Sequence, residues 1–172
     1  MNGLSNSNPV QETFLLGARF STKPSLAILL DSTISQEYYE ICEVLFSSSK
    51  YEYDTLIFSS DNSAPIFQAP CAIFYYNYLE QYNGSVLALT LRGALNAAES
   101  GCSLKNKIWH ISDITEFQMA ETVIPRLFEF FDSIYFVNDS VKSIFFEVFP
   151  KIQSDKILVS SIDELLAKKH TL

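Results

Sequence analysis

Ser133-Ile-Tyr-Phe-Val137 runs through an Asn138-Asp-Ser140 turn into the amphipathic segment Val141 to Phe149, and then into Lys156-Ile-Leu-Val159. Val141, Ile144, Phe145, Val148 and Phe149 fall at helical spacing, and Pro150 closes the pattern. A short apolar run, a helix and a second apolar run in that order predict a strand, a crossover helix and a parallel strand. The stretch therefore points to an α/β domain, and the same alternation recurs upstream.

Leu26-Ala-Ile-Leu-Leu30 is an unbroken apolar run, as expected of a strand covered on both faces. Tyr38, Ile41, Cys42 and Leu45 then share one face of a helix. Its start is marked by Thr33 with Gln36 as a capping box, or by Ser35 as a rival cap. Thr55-Leu-Ile-Phe58 reads as a second strand. Ala72 to Tyr76 fits either a strand or the start of a helix through Tyr82. Val86 to Thr90 and Lys107 to Ile111 are further strands, separated by an Ala-rich helix from Arg92 to Glu99 that Gly101 should terminate. A helix after Asp113 and Glu116 should reach about Phe131. Met119, Val123, Leu127 and Phe130 form its buried stripe, and Pro125 should kink or split it. A last helix begins at Ser161, with Glu164 completing a capping box and Lys168 and Lys169 near its end. The expected fold is α/β, a Rossmann-like three-layer αβα sandwich with a mainly parallel sheet of about six or seven strands. Residues 1–24 read as a flexible or loosely packed N-terminal segment, and residues 25–172 as a single Rossmann-like domain.

The 172 residues suit one domain, and 48% hydrophobic residues, with 14 Phe and 9 Tyr, supply an ample core. The net charge of 12 − 20 = −8 argues against a nucleic-acid partner, which needs clustered Lys and Arg. Cys42, Cys71 and Cys102 lie far apart with no zinc spacing, and Cys42 and Cys71 read as small buried hydrophobes in a reducing compartment. No secretory signal and no membrane-spanning run is evident, so a cytoplasmic location is expected.

In an open α/β sheet, ligands bind beyond the carboxyl ends of the strands. That rule selects Asp31 and Ser32, Thr90 and Arg92, His110 to Glu116, and Asn138 to Ser140. His110 with Asp113 is the sharpest pair, a base and an acid three residues apart, and the catalytic expectation rests on them. The plainer use of His110 is as a hydrogen-bonded core side chain, and of Asp113 as a helix cap. Asp31, Arg92 and Asn138 are the expected substrate-binding residues: Arg92 would clamp an anion, and Asn138 equally suits an N-cap. No G-x-G-x-x-G, no G-x-x-x-x-G-K-[ST] and no G-x-S-x-G occurs, and Gly totals only five. Neither a cofactor nor a metal is expected.

Lys107-Ile-Trp-His-Ile-Ser-Asp-Ile-Thr-Glu-Phe117 resembles a segment of N-terminal domains of GT-B glycosyltransferases of the family 4 type, where a strand after an Ala-rich helix ends in an acidic, aromatic turn. Phe131 to Ser140 is similar to that family's strand leading into a polar turn and helix, and Lys156-Ile-Leu-Val-Ser160 to the strand before its crossover. The likeness covers roughly Leu26 to Ser160 in pattern. Two departures stand out: Asp31-Ser-Thr-Ile34 replaces the family's Gly-rich loop, and the donor-binding second domain has no counterpart in these residues. The resemblance implies an acceptor-side half of a transferase for glycan synthesis, with a sugar acceptor and a second domain or subunit as partners. A non-catalytic interaction or scaffold module is the alternative.

Overall fold

The computed structural model describes residues 24–47, 54–61, 71–101, 104–115, 117, 120–152 and 155–167. The expectations placed on the N-terminal segment through residue 23, on Cys102, Glu116 and Met119, and on Lys168 and Lys169 lie outside them. In chain order the elements are β1 (Ser25–Leu30), α1 (Gln36–Ser47), β2 (Asp54–Ser59), β3 (Ala72–Tyr75), a 3-10 helix (Tyr76–Gln81), β4 (Ser85–Ala88), α2 (Leu91–Glu99), β5 (Lys107–Ile111), α3 (Ile124–Phe130), β6 (Ser133–Phe136), α4 (Asp139–Val148), β7 (Ile157–Val159) and α5 (Ile162–Ala167).

All seven strands pair in parallel, in the order β3-β2-β1-β4-β5-β6-β7. This is a Rossmann-like α/β sandwich. Strand alternation sends successive side chains to opposite faces. On one face Ala27, Leu29, Phe58, Val86, Trp109 and Phe136 pack with residues of α2, α3 and α4. On the other, Leu26, Ile28, Leu30, Ile57, Leu87 and Tyr135 pack with Tyr38, Ile41 and Cys42 of α1 and with Leu165 and Leu166 of α5.

Local chemistry sets most element ends. Ser35 caps α1, accepting from the Tyr38 amide at 3.3 Å, so the rival cap is the one used. Gly101 follows α2 at φ 64°, a left-handed conformation that favours glycine. Ser161 and Glu164 form the reciprocal capping box, at 3.2 and 3.3 Å. Two stretches differ from expectation. Ala72 to Gln81 is strand and then 3-10 helix rather than one or the other. Pro125 lies in the first turn of the short α3, where its missing N–H costs nothing, so it begins a helix instead of kinking one.

The α2–α4 face is held by aromatic rings. Trp109 sits 5.3 Å from Phe117, 5.7 Å from Phe128 and 5.6 Å from Phe131. Phe145, fully buried, has Phe128, Phe136 and Phe149 at 5.0, 5.2 and 4.9 Å. Truncating it removes one ring from several pairs and leaves a cavity. Phe145→Ala should cost about 3–5 kcal/mol in urea unfolding, while Ile144→Ala, one residue away and 49% exposed, should stay within about 0.5 kcal/mol. Equal losses for the two variants would contradict the placement of α4.

Candidate functional site

The strand order reverses at β1, whose neighbours are β2 and β4. The helices that follow β1 and β4 cover opposite faces, which opens a crevice between the two carboxyl ends. Thr90, the N-cap of α2, links the two sides. Its hydroxyl donates to Asp31 Oδ1 at 2.5 Å and accepts from the Gly93 amide at 3.0 Å. The Asp31 carbonyl in turn accepts from the Ser60 amide and hydroxyl, so the end of β2 pins the backbone from behind.

A cavity of about 240 Å³ lies in this crevice, lined by Asp31, Glu37, Thr90, Trp109, Ser112 and Asp113 among others. Among the described residues, its lining carries three carboxylates and no Lys, Arg or His. Asp113 also binds the Thr115 hydroxyl at 2.6 Å and amide at 3.0 Å, and these bonds hold its carboxyl below the usual range. It is thus both a turn-forming residue and part of the cleft wall.

His110 lies elsewhere. It is 2% exposed on β5, and its Nε2 is 3.0 Å from the Ser160 carbonyl oxygen. A carbonyl only accepts, so Nε2 carries the proton and Nδ1 keeps its lone pair. Burial pushes the imidazole pKa down, with the Ser160 bond working the other way. His110 lines a separate groove of about 300 Å³, with Glu37, Glu40, Glu43 and Asp163. Glu37, Leu89 and Ser112 line both spaces. Arg92, exposed in the first turn of α2, lines a third cavity with Ser60 and Tyr76. Asn138 caps α4, its Oδ1 accepting from the Val141 amide at 2.9 Å. The structure therefore brings Asp31 and Asp113 to one cleft, and distributes His110, Arg92 and Asn138 around it.

Two residues at this end of the sheet carried no distinguishing sequence signal. Asp61 accepts from the hydroxyls of Ser32, Thr33 and Ser59 and from the Thr33 amide. Partial burial pushes its carboxyl up, but these bonds outweigh burial and hold it below the ordinary value. It fastens the β1–α1 loop to β2. The strand-end rule applied to β2 would have found it. Tyr76 is the other: its hydroxyl oxygen is closed to solvent and lacks a hydrogen-bond partner, which costs about 1–3 kcal/mol for a buried polar group. Burial and the Asp31 charge push its pKa well above the ordinary value, against the pull of Arg92.

Neither thiol among the described residues is a nucleophile in waiting. Burial raises Cys42, and raises Cys71 to about 12. No three His, Cys, Asp or Glu side chains among the described residues are placed to hold a metal ion, and no helix among them is long and apolar enough to cross a membrane. Comparison with protein families, curated proteins and solved structures gave no match.

Two predictions follow from the geometry. Asp61→Ala should destabilise the chain by about 1–3 kcal/mol, because it strands the donors of Ser32, Thr33 and Ser59. Amide exchange should also quicken in residues 32–35; unchanged exchange there would remove the clamp. For His110, folding disfavours the protonated form. The unfolded chain therefore binds the proton first as pH falls below about 6.5, and stability declines from there toward the lower folded pKa. His110→Gln should flatten that part of the stability–pH curve measured by urea unfolding. A wild-type slope retained in the variant would show that other groups produce it.

Proposed function

We propose that this chain is the acceptor-side, Rossmann-like unit of a GT-B glycosyltransferase, with the nucleotide-sugar site supplied by a second domain or subunit. The observation that carries this reading is the chemistry of the switch-point cleft. Asp31, Glu37 and Asp113 accept hydrogen bonds, Ser112 gives and accepts them, and Trp109 and Phe117 supply apolar wall. Sugars present such a mixture of hydroxyl donors and C–H faces. Among the described residues, phosphates would meet only like charge in this cleft. The first βα turn supports the same assignment. Asp31-Ser-Thr-Ile-Ser35 contains no glycine and is tied to Asp61, which leaves no backbone cradle for a pyrophosphate. An acceptor unit has no need of one.

In this reading Asp31 and Asp113 orient an acceptor hydroxyl. His110 is the base, through the Nδ1 lone pair that its Ser160 bond leaves, in the groove that shares Ser112 with the cleft. Arg92 holds an anionic group at the flank. The alternative, an interaction module, draws on the open edge at β7, where Leu158 is 47% and Val159 38% exposed.

The test is an NMR titration of the whole chain with neutral oligosaccharides, alongside a transfer assay with nucleotide sugars. Amide shifts should centre on Thr90, Leu91, Ser112 and Asp113. Asp31→Asn should weaken binding about tenfold. The chain alone should give no transfer. Turnover by the chain alone would overturn the need for a second unit. Silence toward every saccharide, together with tight binding of a protein partner, would select the interaction module.

A further inference from the structure

A cavity of about 370 Å³ lies on the β3 side of Asp31, lined by Ser60, Tyr75, Tyr76, Asn77, Arg92 and Asn96. Its charge is the reverse of the switch-point cleft: among the described residues, the lining has a guanidinium and no carboxylate. Arg92 is exposed, and its guanidinium makes no hydrogen bond or ion pair within the described residues. Beside it stands the unpartnered hydroxyl of Tyr76. A Cβ on Gly93 would lie 3.0 Å from that oxygen and 3.0 Å from the Leu29 carbonyl, which places the hydroxyl beneath the first turn of α2, closed to solvent. Tyr75, 42% exposed, offers a ring face on the same wall. The helix end itself is not the attraction, since the Gly93 amide is taken by Thr90.

Resting on the acceptor reading above, we propose that this cavity is a subsite for an acidic sugar, in which Arg92 holds the carboxylate of a uronic acid residue and Tyr75 stacks on the ring. A fixed single positive charge matches a carboxylate. A phosphate monoester, at nearly two negative charges, would stay half neutralised. The guanidinium fork pairs with both oxygens of a carboxylate. The acidic switch-point cleft next door repels the carboxylate, so the two cavities together fix which end of the acceptor faces Asp31.

The test uses a matched pair of probes, cellobiouronate and cellobiose, titrated into the whole chain by NMR, with inorganic phosphate as the third probe. Cellobiouronate should shift the amides of Tyr75, Asn77 and Arg92 and bind about tenfold tighter than cellobiose. Arg92→Gln should abolish that preference. Arg92→Lys, which keeps the charge without the fork, should lose most of it and stands in if the Gln variant does not fold. Equal affinity for the two sugars, with shifts confined to the switch-point cleft, would overturn the acidic subsite and leave the acceptor reading in place. No response to either sugar would overturn both. Phosphate displacing cellobiouronate at equal concentration would reassign the cavity to phosphate and overturn the uronate proposal.

Discussion

A parallel strand inside a sheet covered on both sides has no face it can leave to water, and β1 is such a strand. Leu26 through Leu30 are completely buried, and their alternate side chains feed two separate cores. Each core needs its own helices. The chain supplies them by sending α1 to one face after β1 and α2 to the other after β4. Both polypeptide exits then diverge at the carboxyl ends of adjacent strands, and the crevice between them follows from the coverage of β1. The Asp31–Thr90 bond sits across the mouth of that crevice and holds its two lips at a fixed separation.

Charge is sorted around that bond. Carboxylates gather on the β5 side, and a guanidinium with a hydroxyl stands on the β3 side. Close packing keeps the two apart. Gly93 lets α2 approach the Leu29 carbonyl, where a Cβ would come to 3.0 Å, and this brings Arg92 and Tyr76 together beyond the reach of Asp113's turn. A side chain at position 93 would push α2 outward and loosen both cavities at once.

How much of this was legible follows from the range of the interactions. The strands and the amphipathic helices were readable because burial imposes periods of two and 3.6 residues on nearby positions. Leu26 to Leu30 and Val141 to Phe149 are plain cases. Ala72 to Gln81 was ambiguous because a short aromatic run satisfies either period, and the chain in fact uses an extended and then a 3-10 conformation. At the site, Asp31 and Asp113 could be placed from the strand ends alone. His110 could be placed on β5, but its partner Ser160 lies 50 residues away, and no local pattern announces such a contact. Asp61 meets Ser32 across 29 residues for the same reason.

The parallel order also sets a timetable for synthesis. Asp31 and Thr90 are 59 residues apart, so one long edge of β1 has no partner until β4 has been made. At ribosomal speeds of about 5–20 residues per second, that interval is roughly three to twelve seconds. Throughout it, five consecutive apolar residues present unpaired backbone to the surroundings. No hairpin can shorten the wait, since every strand pair here needs a crossover. The strand that organises the finished molecule is therefore the segment of the nascent chain most in need of shelter, and a holding chaperone would find its clearest target in Leu26 to Leu30.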